Sequence, residues 1–416
     1  MQRRVFLRDG ALALLTIGLS PSFLRRTVFA QSLPQGQKGK VLVCLFQRGA
    51  ADALNMVVPF GERAYYALRP TIAIPAPGRG DGPRGVDLDG FFALHPSLAP
   101  LVPLYKRGIL APIQAVGSPS STRSHFDAQD YMESGTPDVK STHDGWLNRL
   151  LAVRGTCEAC APSPFRAVSM TPQMPRMLEG PEPVIAMSSL GEFSVRTSGA
   201  SVDRLEALYR SGSTDLVHGA GRDMFEAVRM LRAADPSRYA AAPGADYPRS
   251  PFALHLKEIA QLIKANVGLE VAFADVGGWD THVNQGGASG ALAARLDDFS
   301  RSLAAFVTDL GDRMEDVVIV TMSEFGRMAR QNGTGGTDHG HAGAMFVIGG
   351  SVRGGKVLGR WPGLQPEQLY EGRDLALTTD FRSVFAEVVS RHMGAATLDR
   401  IFPGFAGEPS GWLGIL

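Results

Sequence analysis

Along the chain, short unbroken apolar runs alternate with longer stretches of mixed polarity. "VLVCLF" (41–46), "LAPIQAV" (110–116), "LEVAFADV" (269–276), "DVVIVTM" (316–322) and "AMFVIGG" (344–350) each have the length and composition of a strand. A strand that is apolar at every position, not at alternate ones, is covered on both faces, which is the pattern of a parallel sheet. Between the third and fourth runs, Leu292, Leu296, Phe299, Leu303, Phe306 and Leu310 recur at steps of four and three, predicting an amphipathic helix over roughly 289–313. Strand, helix and strand in that order predict a βαβ unit with a right-handed crossover. The fold class expected is therefore α/β, with a mostly parallel sheet, helices on both faces and sites at the carboxyl ends of the strands.

Two stretches break the alternation. Residues from about 155 to 250 are rich in Pro, Ser, Gly and Met, with one helical stretch near 201–233, and read as an insertion or cap on a single domain. At the start, Arg3 and Arg4 precede Val5-Phe6-Leu7 and then the apolar run "ALALLTIGLS", and Val28 and Ala30 suit cleavage by a signal peptidase. This predicts a twin-arginine signal over 1–30, read by the twin-arginine export machinery, a periplasmic or secreted protein, and a mature domain over 31–416. The run is about half of the roughly 20 residues a membrane span needs, so no transmembrane anchor is expected in the mature form.

Composition narrows the picture by exclusion. With 42 Lys+Arg against 41 Asp+Glu and a formal net charge of +1, nothing suggests nucleic acid as a partner. Cys44 lies in an apolar run where a small buried thiol is ordinary. Cys157 and Cys160 form a lone C-x-x-C, read as a local disulfide or two free thiols, since no further zinc ligands can be assigned to it.

Polar residues that could carry chemistry gather just past the predicted strand ends. The first run leads to Arg48 and Asp52, the second to Arg123 and Ser124, the third to Asp275, Asp280 and His282, and the fourth to Glu324; Asp338, His339 and His341 precede the fifth. Carboxylates and imidazoles converging on one rim suit a divalent metal, zinc or manganese. Each piece alone has a plainer reading. Asp280-x-His282 fits a capping turn, His339 and His341 fit a solvated Gly-flanked loop, and Glu324 fits an ion pair with Arg327 or Arg330. His125 is a poor base for Ser124, because neighbours on an extended chain point to opposite faces.

Together, "LFQRGAADALNMVVP", "TRSHFDAQDYMESGTP", "DGWLNR", "DVGGWDTHVNQ", "TMSEFGR" and "GTDHGH" resemble the exported bacterial family called domain of unknown function 1501, a relative of the sulfatase and alkaline-phosphatase superfamily. The resemblance spans essentially the whole chain and implies an alkaline-phosphatase-like fold. In the superfamily's phosphomutases an Asp and a nearby His follow one strand, similar to "DVGGWDTH", and a Gly-rich loop with a metal-binding His resembles "GTDHGH". Three features depart from the pattern: Glu324-Phe325-Gly326 stands where Asp-His-Gly is expected, Asp52 falls late for a ligand, and the sulfatase Cys-x-Pro-Ser-Arg signature is absent.

The resemblance thus implies an exported metal-dependent hydrolase of phosphate or sulfate esters. Asp275, Asp280, His282, His339 and His341 would be metal ligands, joined by Glu324 and Asp52, with Ser124 as nucleophile and Arg123 or Arg48 holding anionic oxygens. Its partner would be a small anionic ester or a sulfated or phosphorylated glycan. The alternatives are a catalytically degenerate binding or assembly protein on the same fold, and a purely structural metal.

Overall fold

A computed structural model describes residues 39–155, 163–191, 225–227, 229–230, 239–407 and 411–416. Residues 1–30, where a twin-arginine signal is expected, and the Cys157/Cys160 pair lie outside them. So does most of the helical stretch at 201–233, although 225–227 and 229–230 are helical. Among the described residues, no helix is long and apolar enough to cross a membrane.

All five apolar runs are strands, and six shorter ones join them. In chain order they are β1 (Val41–Gln47), β2 (Val57–Val58), β3 (Val86–Asp87), β4 (Ala93–Leu94), β5 (Leu110–Gly117), β6 (Ala167–Ser169), β7 (Ile185–Ala186), β8 (Val271–Val276), β9 (Val317–Met322), β10 (Gly343–Gly349) and β11 (Thr379–Asp380). Eight of them form one sheet in the order β11-β5-β10-β9-β1-β8-β6-β7, and β2, β4 and β3 form a small antiparallel one. The longer helices are α1 (His125–Ser134), α2 (Trp146–Arg154), α3 (Pro251–Lys264), α4 (Ala291–Leu310) and α5 (Phe381–Arg391).

The central strand shows why runs apolar at every position form here. Val41, Val43 and Leu45 face one core with Leu256, Ile259 and Ile263 of α3 and the predicted stripe of α4; Leu42, Cys44 and Phe46 face a second core with Trp146 and Leu150 of α2 and Phe381 and Phe385 of α5. Successive side chains alternate between faces, so a strand covered on both must be apolar throughout. Cys44 is fully buried and its thiol is pushed up by that burial.

Two features differ from expectation. The segment 163–191, read as part of an insertion, contributes β6 and β7 to the edge of the main sheet; strands of three and two residues are too short to show a pattern. The last apolar run is not a parallel strand: β10 pairs antiparallel with both β9 and β5, while the other seven strands share one direction. An apolar run reports coverage of both faces and says nothing of direction. The reversal matters because it brings the segment entering β10 to the rim at which β1, β5, β8 and β9 end.

A buried histidine gives the fold a pH dependence. His392 donates from Nε2 to the Val41 carbonyl at 3.0 Å, and burial pushes its pKa down from 6.5 to about 4. Between these values the unfolded chain takes up a proton that the folded chain refuses, so stability is full above pH 6.5 and falls as pH drops toward 4. The expected loss across the window is about 3 kcal/mol, read from urea unfolding at several pH values. His392→Gln should flatten that slope, and an unchanged slope would assign the acid sensitivity to other groups.

Candidate metal centre

The rim is built by loops that press closer than side chains allow. Gly49, just past β1, has φ +118°, and a Cβ there would stand 2.6 Å from the Asp280 amide nitrogen past β8. Gly336 lies under His282, whose carbonyl oxygen would meet a Cβ at 2.3 Å. The connection from β9 to β10 folds back on itself: Met328 N donates to Asp338 O, Gly340 N to Gly326 O and Gly326 N to His341 O. This sets His339 opposite Arg327.

Arg327 is 1% exposed and spends its guanidinium on three loops. It donates to the carbonyls of Gly49 (2.6 Å), Ala50 (2.7 Å), Trp279 (3.0 Å) and Thr337 (2.9 Å), and to Asp280 Oδ1 at 2.5 Å. Burial pushes the Asp280 carboxyl up, but the bond from Arg327 and the neighbouring histidines outweigh it and hold the group below the usual carboxylate range.

Three histidines surround that carboxylate, and each has Nδ1 fixed by an acceptor. His125 donates to Glu324 Oε1 at 2.7 Å, His282 to Asp338 Oδ1 at 3.0 Å and His339 to the Arg123 carbonyl at 2.9 Å. Carboxylates and carbonyls only accept, so each ring carries a proton on Nδ1 and, when neutral, presents a lone pair at Nε2. Those lone pairs converge. Nε2 of His282 and His339 stand 3.0 Å apart and lie 3.0 and 3.2 Å from Asp280 Oδ1. Nε2 of His125 is 3.5 Å from Asp280 Oδ2 and, although buried, has no hydrogen-bond partner. The ligand atoms of His125, Asp280 and His339 all lie within 4.8 Å of one another. Acceptors gathered this closely repel unless a proton or a metal ion stands among them, and histidine ligands of metals are held in this way through the opposite ring nitrogen.

Of the two carboxylates behind the rings, Glu324 is fully buried while Asp338 lies at the surface. Glu324, fully buried, accepts from His125, from Gln129 Nε2 (2.9 Å) and from the Gly49 amide (2.9 Å). Burial raises its pKa, yet these bonds prevail and leave it lowered; the same contact raises His125. Asp338 is lowered by its bonds from His282 and Asn332, and His339 is lowered by burial. Side-chain exposures of 46% for Asp280 and 38% for His282 leave the cluster open to solvent, which marks a site that can take a further ligand. Phe325 packs 5.0 Å from the rings of both His125 and His339 and offers no donor.

Of the residues singled out by sequence, the structure brings together Asp280, His282 and His339, with Glu324 and Asp338 behind them. The others stand elsewhere. Asp275 is bound by Arg48 Nε at 2.6 Å, and Arg48 also reaches Glu133 and Gln129. Asp52 is buried against Arg69 (2.6 Å) and Gln285 (2.7 Å). His341 is buried and stacks on Tyr370 at 4.2 Å, and Arg123 turns its guanidinium to Asp374 and Glu371. Ser124 is exposed at the N-cap of α1 and makes no bond to His125, which turns inward instead. Glu324 pairs with His125 and Gln129, not with an arginine, because Arg327 is already saturated by the loops.

Sequence reasoning missed His125 as a ligand. The signal was the spacing of four in His125, Gln129 and Glu133, which share one face of α1 and meet Glu324 and Arg48 there. The family model described as "Protein of unknown function (DUF1501)" matches residues 39–401. No curated protein matches the chain.

Because Arg327 joins three loops with a planar fork, Arg327→Lys should destabilise the fold by about 3 kcal/mol, since a lysine cannot reach the same acceptors. Urea unfolding checks this, and a loss below about 1 kcal/mol would mean the loops hold one another without it.

Proposed function

Since the chain belongs to the DUF1501 family, whose description names no activity, we propose its function from the site: an exported, metal-dependent hydrolase of phosphate or sulfate esters on an alkaline-phosphatase-like fold. The observation that carries this reading is the approach of three histidine Nε2 atoms to one solvent-open carboxylate, each ring held by an acceptor at Nδ1, with His125, Asp280 and His339 close enough to share one ion. Nitrogen and carboxylate donors suit zinc or manganese. Phe325 supplies no ligand where the superfamily places a histidine, so the reading is of one metal and not two.

The chain's own residues divide the work. His125, His282, His339 and Asp280 would hold the cation, which when bound supplies Lewis-acid polarisation of an ester oxygen. Glu324, Asp338 and the Arg123 carbonyl fix ring tautomer and orientation. Arg327 keeps Asp280 ionised and stationary. Ser124, exposed one residue before His125, would on this reading be the hydroxyl that attacks or orients water. Arg48 and Arg123 are engaged by carboxylates, which suits them to holding loops more than to gripping substrate. The twin-arginine start supports a periplasmic or secreted location.

Elemental analysis of the mature protein should find one divalent metal per chain, lost in His282→Ala/His339→Ala. Glu324→Ala should keep the ligands but weaken metal affinity by about 10–100-fold. A screen of phosphomonoesters, phosphodiesters and sulfate esters then reads turnover. Metal-free wild type would overturn the centre, full metal in the double variant would overturn the ligand set, and bound metal without turnover of any ester would favour the binding-protein reading.

A further inference from the structure

A turn that supplies no ligand, residues 370–375, holds the stretch that carries His339. Tyr370 stacks on the His341 ring at 4.2 Å, the Arg373 carbonyl accepts from the Ala329 amide, and the Leu375 carbonyl accepts from the Ala342 amide. Tyr370 and Asp374 exchange both backbone hydrogen bonds, so the turn fixes Asp374 by itself. The Asp374 side chain is fully buried. Its Oδ2 accepts from Arg123 Nε at 3.1 Å and Nη2 at 2.7 Å, and its Oδ1 stands 3.0 Å from Arg373 Nε. These two arginines also meet again at one residue. The Arg123 carbonyl accepts from His339 Nδ1 at 2.9 Å, and Arg373 Nη2 donates to the His339 carbonyl at 2.8 Å. A buried carboxylate is stable only where partners meet it, and here each of its oxygens leads through an arginine to His339, one to the ring and one to the backbone.

Resting on the metal reading above, we infer that Asp374 is a positioning residue of the metal centre: through Arg123 and Arg373 it fixes the ring and the backbone of His339, and so the place of Nε2 beside Asp280. It touches neither the ion nor a ligand atom. A residue that only held the turn would act on stability alone, whereas one that aims a ligand acts on metal affinity and on the ligand field.

Zinc affinity by competition with a chelating dye, the visible spectrum of the cobalt(II)-loaded protein and urea unfolding should be measured on mature wild type, Asp374→Asn, Arg123→Met, Arg373→Met and the Asp374→Asn/Arg123→Met double variant. Asp374→Asn should still bind one zinc per chain, with affinity lowered about 10–100-fold and the cobalt spectrum shifted. Each arginine variant should lose less than Asp374→Asn, because one arm remains. The double variant should lose no more than Asp374→Asn alone, since Arg123 acts on His339 from the same anchor. Metal-bearing wild type whose affinity and cobalt spectrum survive Asp374→Asn, even with stability lowered, overturns the inference and leaves the centre standing. Should Asp374→Asn fail to fold, the two arginine variants decide, and unchanged affinity in both overturns it. Wild type that binds neither zinc nor cobalt overturns the centre and the inference with it.

Discussion

The rim depends on one buried guanidinium. Arg327 answers carbonyls from the loop past β1, the loop past β8 and the segment entering β10, and its remaining bond fixes Asp280. Backbone carbonyls at strand ends lose their ladder partners, and buried ones must be satisfied by something. A single planar donor that meets four of them sets the spacing between loops that share no sequence proximity. Asp280 is therefore placed by the same contact that closes the loops, and the histidines gather around a carboxylate that cannot move without unseating three segments.

A second line of bonds reaches the cluster from the side. Asp275 binds Arg48, Arg48 binds Gln129 and Glu133, and Gln129 meets His125 on Glu324. Arg48 lies over the Phe46 ring at 4.5 Å, which covers its flat face while its edges serve the carboxylates. The residues that resembled ligands or substrate grips, Asp275 and Arg48, hold α1 against the sheet and so position His125.

Much of the architecture was legible as periodicity. β1, β5, β8, β9 and β10 each appear as an apolar run because both faces are covered, and α4 (Ala291–Leu310) appears as a stripe because one face is. Direction was not legible, since an apolar run is the same read toward either partner, and β10 was placed wrongly for that reason. Strands of two or three residues were invisible. At the site, Asp280, His282 and His339 stood out by residue type and strand-end placement. His125 did not, because its role depends on a helix turning it inward toward Glu324. Asp52 and Asp275 were indistinguishable by type from ligands; only the arginines facing them reveal what they do.

The reversal of β10 has a consequence for how such a site can change. In an all-parallel sheet, neighbouring strand-end loops are separated by a helix and a return crossing, so each contributes its residues independently. Here β9 runs up to the rim and β10 starts back from it, so one uninterrupted stretch between Met322 and Gly343 carries Glu324, Phe325, Arg327, Asp338 and His339 together. A single replacement of that stretch exchanges the anchor, the packing ring and a ligand at once while every strand stays where it is. Ligand number and chemistry can then diverge between relatives as one cassette, on a scaffold that need not alter.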